Sequence, residues 1–226
     1  MTLSQLIIGA NGGVGKHLVN KLKAQNVDFT AGVRKESQVD ALKNDNVSAI
    51  YVDVENQSID ELSETFKNFD QVLFSVGSGP NTGDDKTIIV DLDGAVKAIK
   101  ASEQADVKHF IMVSTFDSRR EAFDESGDLK PYTIAKHYAD DYLRRTNLKY
   151  TIVHPGGLTN DKGTSKFTIA SNVRGKGPIK ITREDVAEVL AEVVVNDALH
   201  GKEFQIINGD ASLSDAAVSY THLRAH

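Results

Sequence analysis

Cysteine is absent from the 226 residues of this chain, and its absence removes several kinds of chemistry at once. Without cysteine there is no disulfide, no thiolate nucleophile and no cysteine-ligated metal site. The seven histidines are scattered and form no His-Glu-x-x-His motif. We therefore predict no metal site, and the composition agrees with a reducing cytosol.

Long apolar runs and an excess of positive charge are also missing. No apolar stretch approaches the roughly 18 residues that span a bilayer, and residues 1–5 lack the basic segment of a secretory signal. The net charge of −6 argues against general attraction to nucleic acid, although it leaves room for a small basic pocket for one phosphate. We expect a cytoplasmic protein with a small-molecule substrate and no membrane or nucleic-acid partner.

Short apolar segments alternate with amphipathic helical segments along the chain. This alternation is typical of an α/β protein with a doubly wound, mostly parallel Rossmann sheet and helices on both faces. Predicted helices follow Gly15 and cover 59–66, 85–103, 131–145 and 184–195, with a short helix around Val39 and Leu42. Predicted strands cover 3–8, 27–33, 47–54, 71–76, 107–113, 150–153, 167–170 and 203–207.

The chain shows no internal repeat and no linker, so residues 1–215 are predicted to form a single domain. Residues 155–177 form an excursion rich in Gly, Ser and Thr, which we expect to shape a substrate pocket. Residues 216–226 break the preceding pattern. We interpret them as a tail of non-native origin and leave them out of the reasoning about fold and site, with a natural polar tail as the alternative.

Glycines cluster between the first strand and the first helix. Gly9, Gly12 and Gly15 have the spacing G-x-x-G-x-x-G. Such glycines allow a tight turn, a close approach of backbone to pyrophosphate, and close packing of helix on strand. The sequence predicts a dinucleotide-binding loop, although a tight turn without a ligand is the alternative. The residues predicted to contact the cofactor here are Gly9, Asn11, Gly12, Gly13, Val14 and Gly15.

Two cations end the second strand, where an acidic residue would bind a free ribose 2′-hydroxyl. Arg34 and Lys35 at this position favour a 2′-phosphate, and hence NADP(H) over NAD(H). Ordinary solvated surface charges are the alternative. Asp53 and Val54 end the third strand, where Asp53 could accept a hydrogen bond from the adenine amino group or face water.

A tyrosine and a lysine four residues apart carry the candidate chemistry. Tyr132 and Lys136 lie on one face of a predicted helix. A lysine beside the hydroxyl lowers the tyrosine pKa toward the working pH, and Ser114, after the fifth strand, could hold a substrate carbonyl. The spacing alone is a weak signal, because a helix with its tyrosine packed on the sheet would show it too.

With these motifs in place, residues 3–215 resemble the short-chain dehydrogenase/reductase superfamily, and more closely its atypical NAD(P)-binding group of NmrA-like and flavin-reductase-like proteins. The resemblance implies an active-site trio of Ser114, Tyr132 and Lys136. It also implies that Asp91 replaces the usual catalytic asparagine, and that His154 stands where relatives carry an arginine. The motifs are GANGGVG, VRK, DVEN, VLFSVGSG, IIVDLDGA, FIMVST, YTIAK, YTIVHPGGL and ITREDVA. The further cofactor contacts implied are Ser75, Val76, Gly77, Lys136, Pro155 and Gly156.

Three functions follow from this resemblance. The first is an NADP(H)-dependent oxidoreductase that transfers hydride to a small carbonyl, quinone-like or flavin-like substrate. The second is a non-catalytic NADP(H) sensor, and the third is a nucleotide-sugar epimerase, for which the C-terminal part is short. His154 is expected to be structural rather than catalytic. The pairs Asp140-Asp141 and Arg119-Arg120 are expected to be solvated surface charges.

Overall fold

Ten strands form two sheets in the part of the chain that the computed structural model describes, residues 3–79 and 81–223. The strands are β1 (Gln5–Ile8), β2 (Thr30–Val33), β3 (Ala49–Tyr51), β4 (Gln71–Phe74), β5 (His109–Val113), β6 (Tyr150–Pro155), β7 (Gly157–Thr159), β8 (Phe167–Ala170), β9 (Lys180–Thr182) and β10 (Glu203–Asn208). Eight of them form the central sheet in the order β3-β2-β1-β4-β5-β6-β10-β8. All neighbours are parallel except β10 and β8. The strand order reverses between β1 and β4, which confirms the predicted doubly wound sheet.

Helices cover both faces of this sheet. They are α1 (Gly13–Ala24), α2 (Glu36–Asn44), α3 (Ile59–Phe66), α4 (Asp84–Lys86), α5 (Ala95–Gln104), α6 (Lys130–Arg144), α7 (Arg183–Val195) and α8 (Leu213–Leu223). Side chains on β1 alternate between two cores: Ile7 packs with α1 and α7, whereas Leu6 and Ile8 pack with α3, α5 and α6. Within the described residues, no helix has both the length and the apolar character needed to cross a bilayer.

Three helices end in the same way, and this ending shortens three of the predicted strands. The second residue after each helix, just beyond the C-cap, has a positive φ of 54° or 57°. The valine that follows donates its N–H to a carbonyl in the last helical turns, at 2.9 or 3.0 Å. These valines therefore belong to helix caps, and the strands begin two or three residues later. The capping pairs are Asn26-Val27, Asn46-Val47 and Asp106-Val107.

The helix predicted over 85–103 is not a continuous α-helix. Between α4 and α5, residues Thr87–Gly94 adopt π-helical hydrogen bonding. A π-helical turn contains more residues than an α-helical turn, so it rotates the side chains relative to an unbroken helix. Asp91 lies in this segment and is completely buried. The prediction of one helix was correct in extent and wrong in geometry.

The excursion after β6 contains more structure than predicted. The short strand at 167–170 is confirmed as β8, at the edge of the central sheet. In addition, β7 and β9 pair in parallel as a separate two-stranded sheet, which the sequence analysis did not predict. Three residues per strand give too little pattern for detection.

The start of the tail forms a helix that packs on the domain. Helix α8 buries Ala216, Ala217 and Tyr220 against the core. The Tyr220 hydroxyl donates to the carbonyl oxygen of Glu203 at 2.8 Å. Residues 224–226 lie outside the described residues, and the non-native origin of the tail stays a prediction.

Candidate active site

The glycine loop joins β1 to α1 and lies against the end of β4. Gly9 has φ +85°, and a Cβ there would lie 2.4 Å from the carbonyl oxygen of Ser75. A Cβ on Gly15 would lie 2.1 Å from the carbonyl oxygen of Gly9. Both distances are well inside van der Waals contact, so only glycine fits at these positions. This is the close helix-to-strand packing that a dinucleotide loop requires.

No side chain of the described residues accepts a hydrogen bond from the N-terminus of α1. Its N-cap residue is Gly12, and its first turn contains no acidic residue. The first N–H groups of a helix need acceptors, and its dipole favours negative charge there. The end of α1 can therefore bind an anion.

A cavity of about 170 Å³ lies at the carboxyl ends of β1, β2, β3 and β4. Its walls include Gly9, Asn11, Gly12, Arg34, Asp53, Val54, Ser75, Val76 and Gly77, all predicted to contact a cofactor. Lys35 does not line it, because Lys35 is the exposed N-cap residue of α2. The residues Gly13, Val14 and Gly15 are likewise not on its wall and form the start of α1. The structure thus brings Arg34 to the cavity without Lys35.

Gln38 lines the same cavity and was missed in the sequence analysis. Its Oε1 is buried, and no described residue donates a hydrogen bond to it. Such an atom is costly to leave unpaired, so a ligand that donates to it would be stabilised. The available signal was its position in the first turn of α2, close in sequence to Arg34.

The carboxylate of Asp53 is mostly occupied by the chain itself. It accepts from the backbone N–H groups of Glu55 and Asn56 at 2.9 and 3.3 Å, and from Asn56 Nδ2 at 2.8 Å. The Tyr51 hydroxyl is a fourth donor at 3.4 Å. Burial raises the pKa of Asp53, but these hydrogen bonds outweigh burial and lower it. A carboxylate has about four acceptor positions, so an adenine amino group would have to replace the distant Tyr51.

Tyr132 and Lys136 lie on one face of α6, at the ends of β4 and β5. Lys136 Nζ is buried, 3.4 Å from the carbonyl oxygen of Val113 and 3.5 Å from that of Val76. It lies 3.7 Å from Asp91 Oδ1 and 5.6 Å from the centre of the Tyr132 ring. The π-helical segment thereby supplies a carboxylate to the buried ammonium.

The pKa of Tyr132 differs from the sequence prediction. Burial raises it above 10.0 and Asp91 and Asp140 raise it further, while Lys136 lowers it only in part. Burial lowers the pKa of Lys136, but Tyr132, Asp91 and Asp140 outweigh burial and raise it. Both groups are therefore protonated at neutral pH. This arrangement holds Tyr132 as a proton donor and not as a phenolate.

Ser114 is bound to a carboxylate that was expected to face solvent. Asp140 is completely buried, and its Oδ2 accepts from the Ser114 hydroxyl at 2.5 Å and the Ser118 hydroxyl at 2.7 Å. Its neighbour Asp141 pairs with Arg145 at the surface, as predicted. The assignment of Asp140 to a solvated face was wrong, because adjacent helical residues point in different directions.

A second cavity, of about 560 Å³, adjoins this group. Tyr132, Ser114, Pro155 and Gly156 line it, together with the apolar side chains of Phe116, Ala122, Leu129, Leu158 and Ile179. Arg119 and Arg120 are not on its wall. Val76 lines the first cavity and Tyr132 the second, and Lys136 contacts both residues. The candidate catalytic pair therefore lies between the two cavities.

The NAD(P)H-binding family matches residues 9–197, a range that includes the glycine loop and the Tyr132–Lys136 pair. The chain belongs to the NAD(P)H-binding family. This membership confirms the resemblance to atypical short-chain dehydrogenases that the motifs indicated.

Three known proteins are similar over nearly their whole length. A Bacillus subtilis protein named uncharacterized sugar epimerase YhfK is 41% identical over 214 residues, covering 93% of this chain and 96% of its own. The Lactococcus lactis oxidoreductase ylbE has a TM-score of 0.85 and 35% identity, covering 99% of this chain and 98% of its own. A Veillonella parvula short-chain dehydrogenase/reductase in complex with NADP has a TM-score of 0.72 and 18% identity, covering 93% and 95%, and shows the fold alone.

The first cavity fits the dinucleotide that NAD(P)H-binding proteins hold. Its glycine loop leaves no room for side chains at Gly9 and Gly15, the end of α1 has free N–H groups, and Gln38 Oε1 has no donor. Asn11 and Arg34 add polar side chains to the wall. These features are those of a site for phosphates, ribose and a base.

His154 of this family member lies in a buried ionic network. Its Nδ1 is 2.7 Å from the carbonyl oxygen of Thr115, and its Nε2 is 2.9 Å from Glu203 Oε1. Both partners are acceptors, so both ring nitrogens carry protons. Burial lowers the pKa of His154, but Glu203 and Asp140 outweigh burial and raise it. Burial raises the pKa of Glu203, whereas His154 and Arg144 lower it to about 2. These contacts favour the predicted structural role.

Proposed function

We propose that this protein is an NADP(H)-dependent oxidoreductase that reduces a small carbonyl, quinone-like or flavin-like substrate. The observation that carries the proposal is the position of Tyr132 and Lys136. Tyr132 lines the larger cavity, and the buried Lys136 links it to the wall of the dinucleotide cavity. A proton donor at that junction is what reduction of a carbonyl needs.

The preference for NADP(H) rests on Arg34. Arg34 lines the dinucleotide cavity after β2, where an acidic side chain would favour the free 2′-hydroxyl of NAD(H). No carboxylate among the described residues forms an ion pair with Arg34. Its guanidinium is free to bind a 2′-phosphate in a bidentate manner. In this proposal Lys35 adds only long-range positive charge.

The bound nicotinamide supplies hydride, and the protein supplies orientation and a proton. Tyr132 keeps its hydroxyl proton at neutral pH because its pKa is raised, and it can donate that proton to the substrate oxygen as charge develops there. Lys136, which stays charged, stabilises the phenolate left behind and can donate to the cofactor ribose. Ser114 donates to Asp140, so it can accept from a substrate hydroxyl, whereas donation to a carbonyl requires its hydroxyl to rotate.

A sugar epimerase is the second candidate, and the name of the Bacillus subtilis relative favours it. A sugar, however, needs many polar partners, because its hydroxyls lose water on binding. The larger cavity has an apolar wall of Phe116, Leu129, Leu158 and Ile179, beside polar side chains that include Asp117, Glu125 and Arg174. The apolar wall favours a substrate with a hydrophobic face.

Replacement of Tyr132 by Phe tests the proposed reaction. We expect the turnover of NADPH with small quinones, carbonyls or flavin to fall by about 10²-fold or more, with unchanged NADPH affinity. Tyr138→Phe is the matched control, because Tyr138 lies on the same helix, is exposed and hydrogen-bonds only Arg120 among the described residues. Unchanged turnover in Tyr132→Phe would exclude the assigned role. Tight NADPH binding by the wild type without any turnover would favour the sensor.

A further inference from the structure

Arg183 begins helix α7, yet its side chain lies on the glycine loop of α1. A Cβ on Gly13 would lie 2.9 Å from both Cδ and Nε of Arg183. Arg183 Nη1 donates to Asn160 Oδ1 at 2.8 Å. Asn160 follows β7 and Arg183 follows β9, and these two strands pair in parallel. The small sheet thus places both side chains beside the first residue of α1.

The guanidinium of Arg183 is not neutralised by the chain. Four arginines pair with carboxylates: Arg119, Arg144, Arg145 and Arg174. Arg34, Arg120 and Arg183 have no such partner among the described residues. Of these three, Arg120 donates to Tyr138, whereas Arg34 lines the cavity and Arg183 lies against Gly13 of the glycine loop.

The guanidinium of Arg183 adds positive charge to the end of α1. Arg183 is in the first turn of α7, which also contains Glu184 and Asp185, and its side chain lies against the first turn of α1. The end of α1 carries partial positive charge, which repels a cation. The first turn of α1 has neither a side-chain cap nor an acidic residue to offset that repulsion. A bound phosphate would neutralise the guanidinium and the end of α1 together.

We propose that Arg183 binds the pyrophosphate of NADP(H), and that Asn160 orients its guanidinium. The inference rests on the proposed cofactor site and adds a residue from the far end of the chain to it. Arg183 has donors left after its bond to Asn160, and a guanidinium matches phosphate oxygens in a bidentate manner. The two unpaired arginines then have separate tasks, with Arg34 at the 2′-phosphate and Arg183 at the pyrophosphate.

The test compares NADPH with a ligand that keeps its adenosine and 2′-phosphate but lacks the pyrophosphate and the nicotinamide riboside. NADPH and adenosine 2′-monophosphate are titrated calorimetrically into the wild type, Arg183→Ala, Arg183→Lys and Arg34→Ala. We expect Arg183→Ala to weaken NADPH binding about tenfold or more and to leave adenosine 2′-monophosphate unaffected. Arg183→Lys should lose less, and Arg34→Ala should weaken both ligands. Arg145→Ala is the control, since Arg145 is exposed and pairs with Asp141 on the surface of α6.

Two results would overturn the role of Arg183. One is wild-type NADPH affinity in Arg183→Ala, and the other is an equal loss of both ligands in that variant. Failure of the wild type to bind NADPH would instead refute the cofactor site itself. Thermal unfolding of the ligand-free variants separates binding from folding, because Arg183→Ala loses only an exposed hydrogen bond to Asn160 and should unfold near the wild-type temperature.

Discussion

Helices α1 and α7 pack side by side against the same face of the sheet, but their N-termini differ. At α7, the Thr182 side chain accepts from the backbone N–H of Asp185 at 3.0 Å. The Asp185 carboxylate in turn accepts from the backbone N–H groups of Thr164 and Ser165 at 2.9 to 3.0 Å. At α1, the N-cap is Gly12 and no side chain accepts from the first turn.

The difference separates a helix N-terminus with a structural role from one that is open to the proposed cofactor. The end of α7 is capped by the Thr182 side chain, and the carboxylates of Glu184 and Asp185 fix the loop at 163–166 against the domain. The end of α1 has a glycine N-cap and lies near Arg34 and Arg183, neither of which forms an ion pair with a carboxylate of the described residues. The contacts at the N-terminus of α7 thus stabilise the fold, whereas the N-terminus of α1 is open to the anion of the proposed cofactor.

The largest effect is expected from Gly15→Ala. The new Cβ would lie 2.1 Å from the carbonyl oxygen of Gly9, so backbone must move. We expect the free energy of unfolding to fall by about 2 kcal/mol, and NADPH binding to be lost. Urea denaturation and calorimetry measure the two effects.

Gly13→Ala is the matched control in the same loop. A Cβ at Gly13 meets only the flexible end of Arg183, which can move aside. This variant should retain its stability while NADPH binding weakens. Equal stability of both alanine variants would contradict the packing described for Gly15.

The next effect concerns the other helix end. Asp185→Asn removes the charge that accepts from Thr164, Ser165 and Asn208. We expect the free energy of unfolding to fall by about 2 kcal/mol, with little change in NADPH affinity. A large loss of affinity without a loss of stability would reverse the roles given to the two helix ends.

The same carboxylate predicts a dependence on pH. Burial raises the pKa of Asp185, but the hydrogen bonds outweigh burial and hold it below 3.8. Because the folded pKa is the lower one, the stabilisation is complete above pH 3.8 and is lost as the pH falls through the folded value. The difference in stability between wild type and Asp185→Asn should shrink on acidification in that range. A difference that grows on acidification would contradict this sign.

The smallest effect tests the dipole of α1 directly. Lys16 is exposed near the start of α1, and Lys16→Glu should stabilise the ligand-free protein by about 0.3–1 kcal/mol. The same change should weaken NADPH binding by repulsion. Lys23→Glu, near the opposite end of α1, should destabilise the protein instead. Shifts of the same sign in both variants would argue against the dipole.

The strands and the glycine loop could be predicted because their signals are local. Apolar strands such as Gln5–Ile8 and His109–Val113 stand out by composition, and the glycine spacing marks the turn. The strand starts at Val27, Val47 and Val107 were wrong because an apolar residue after Asn or Asp serves a helix cap as well as a strand.

The partners within the site could not be predicted, since they depend on tertiary contacts. Asp140 accepts a hydrogen bond from Ser114, 26 residues away in sequence. Arg183 lies beside Gly13, although the two residues are near opposite ends of the sequence. The pKa of Tyr132 could not be inferred from Lys136 alone, because burial and the carboxylate of Asp91 decide its direction. Sequence spacing identified which residues lie on one face, but not what faces them.

The central claim is that the open end of α1 and Arg34 bind NADP(H). Parallel calorimetric titrations of the wild type and Arg34→Ala with NADPH and NADH test it most directly. We predict that the wild type binds NADPH at least about tenfold more tightly than NADH, and that Arg34→Ala reduces NADPH affinity to the NADH level. No binding of either nucleotide, or equal affinities unaffected by Arg34→Ala, would contradict it.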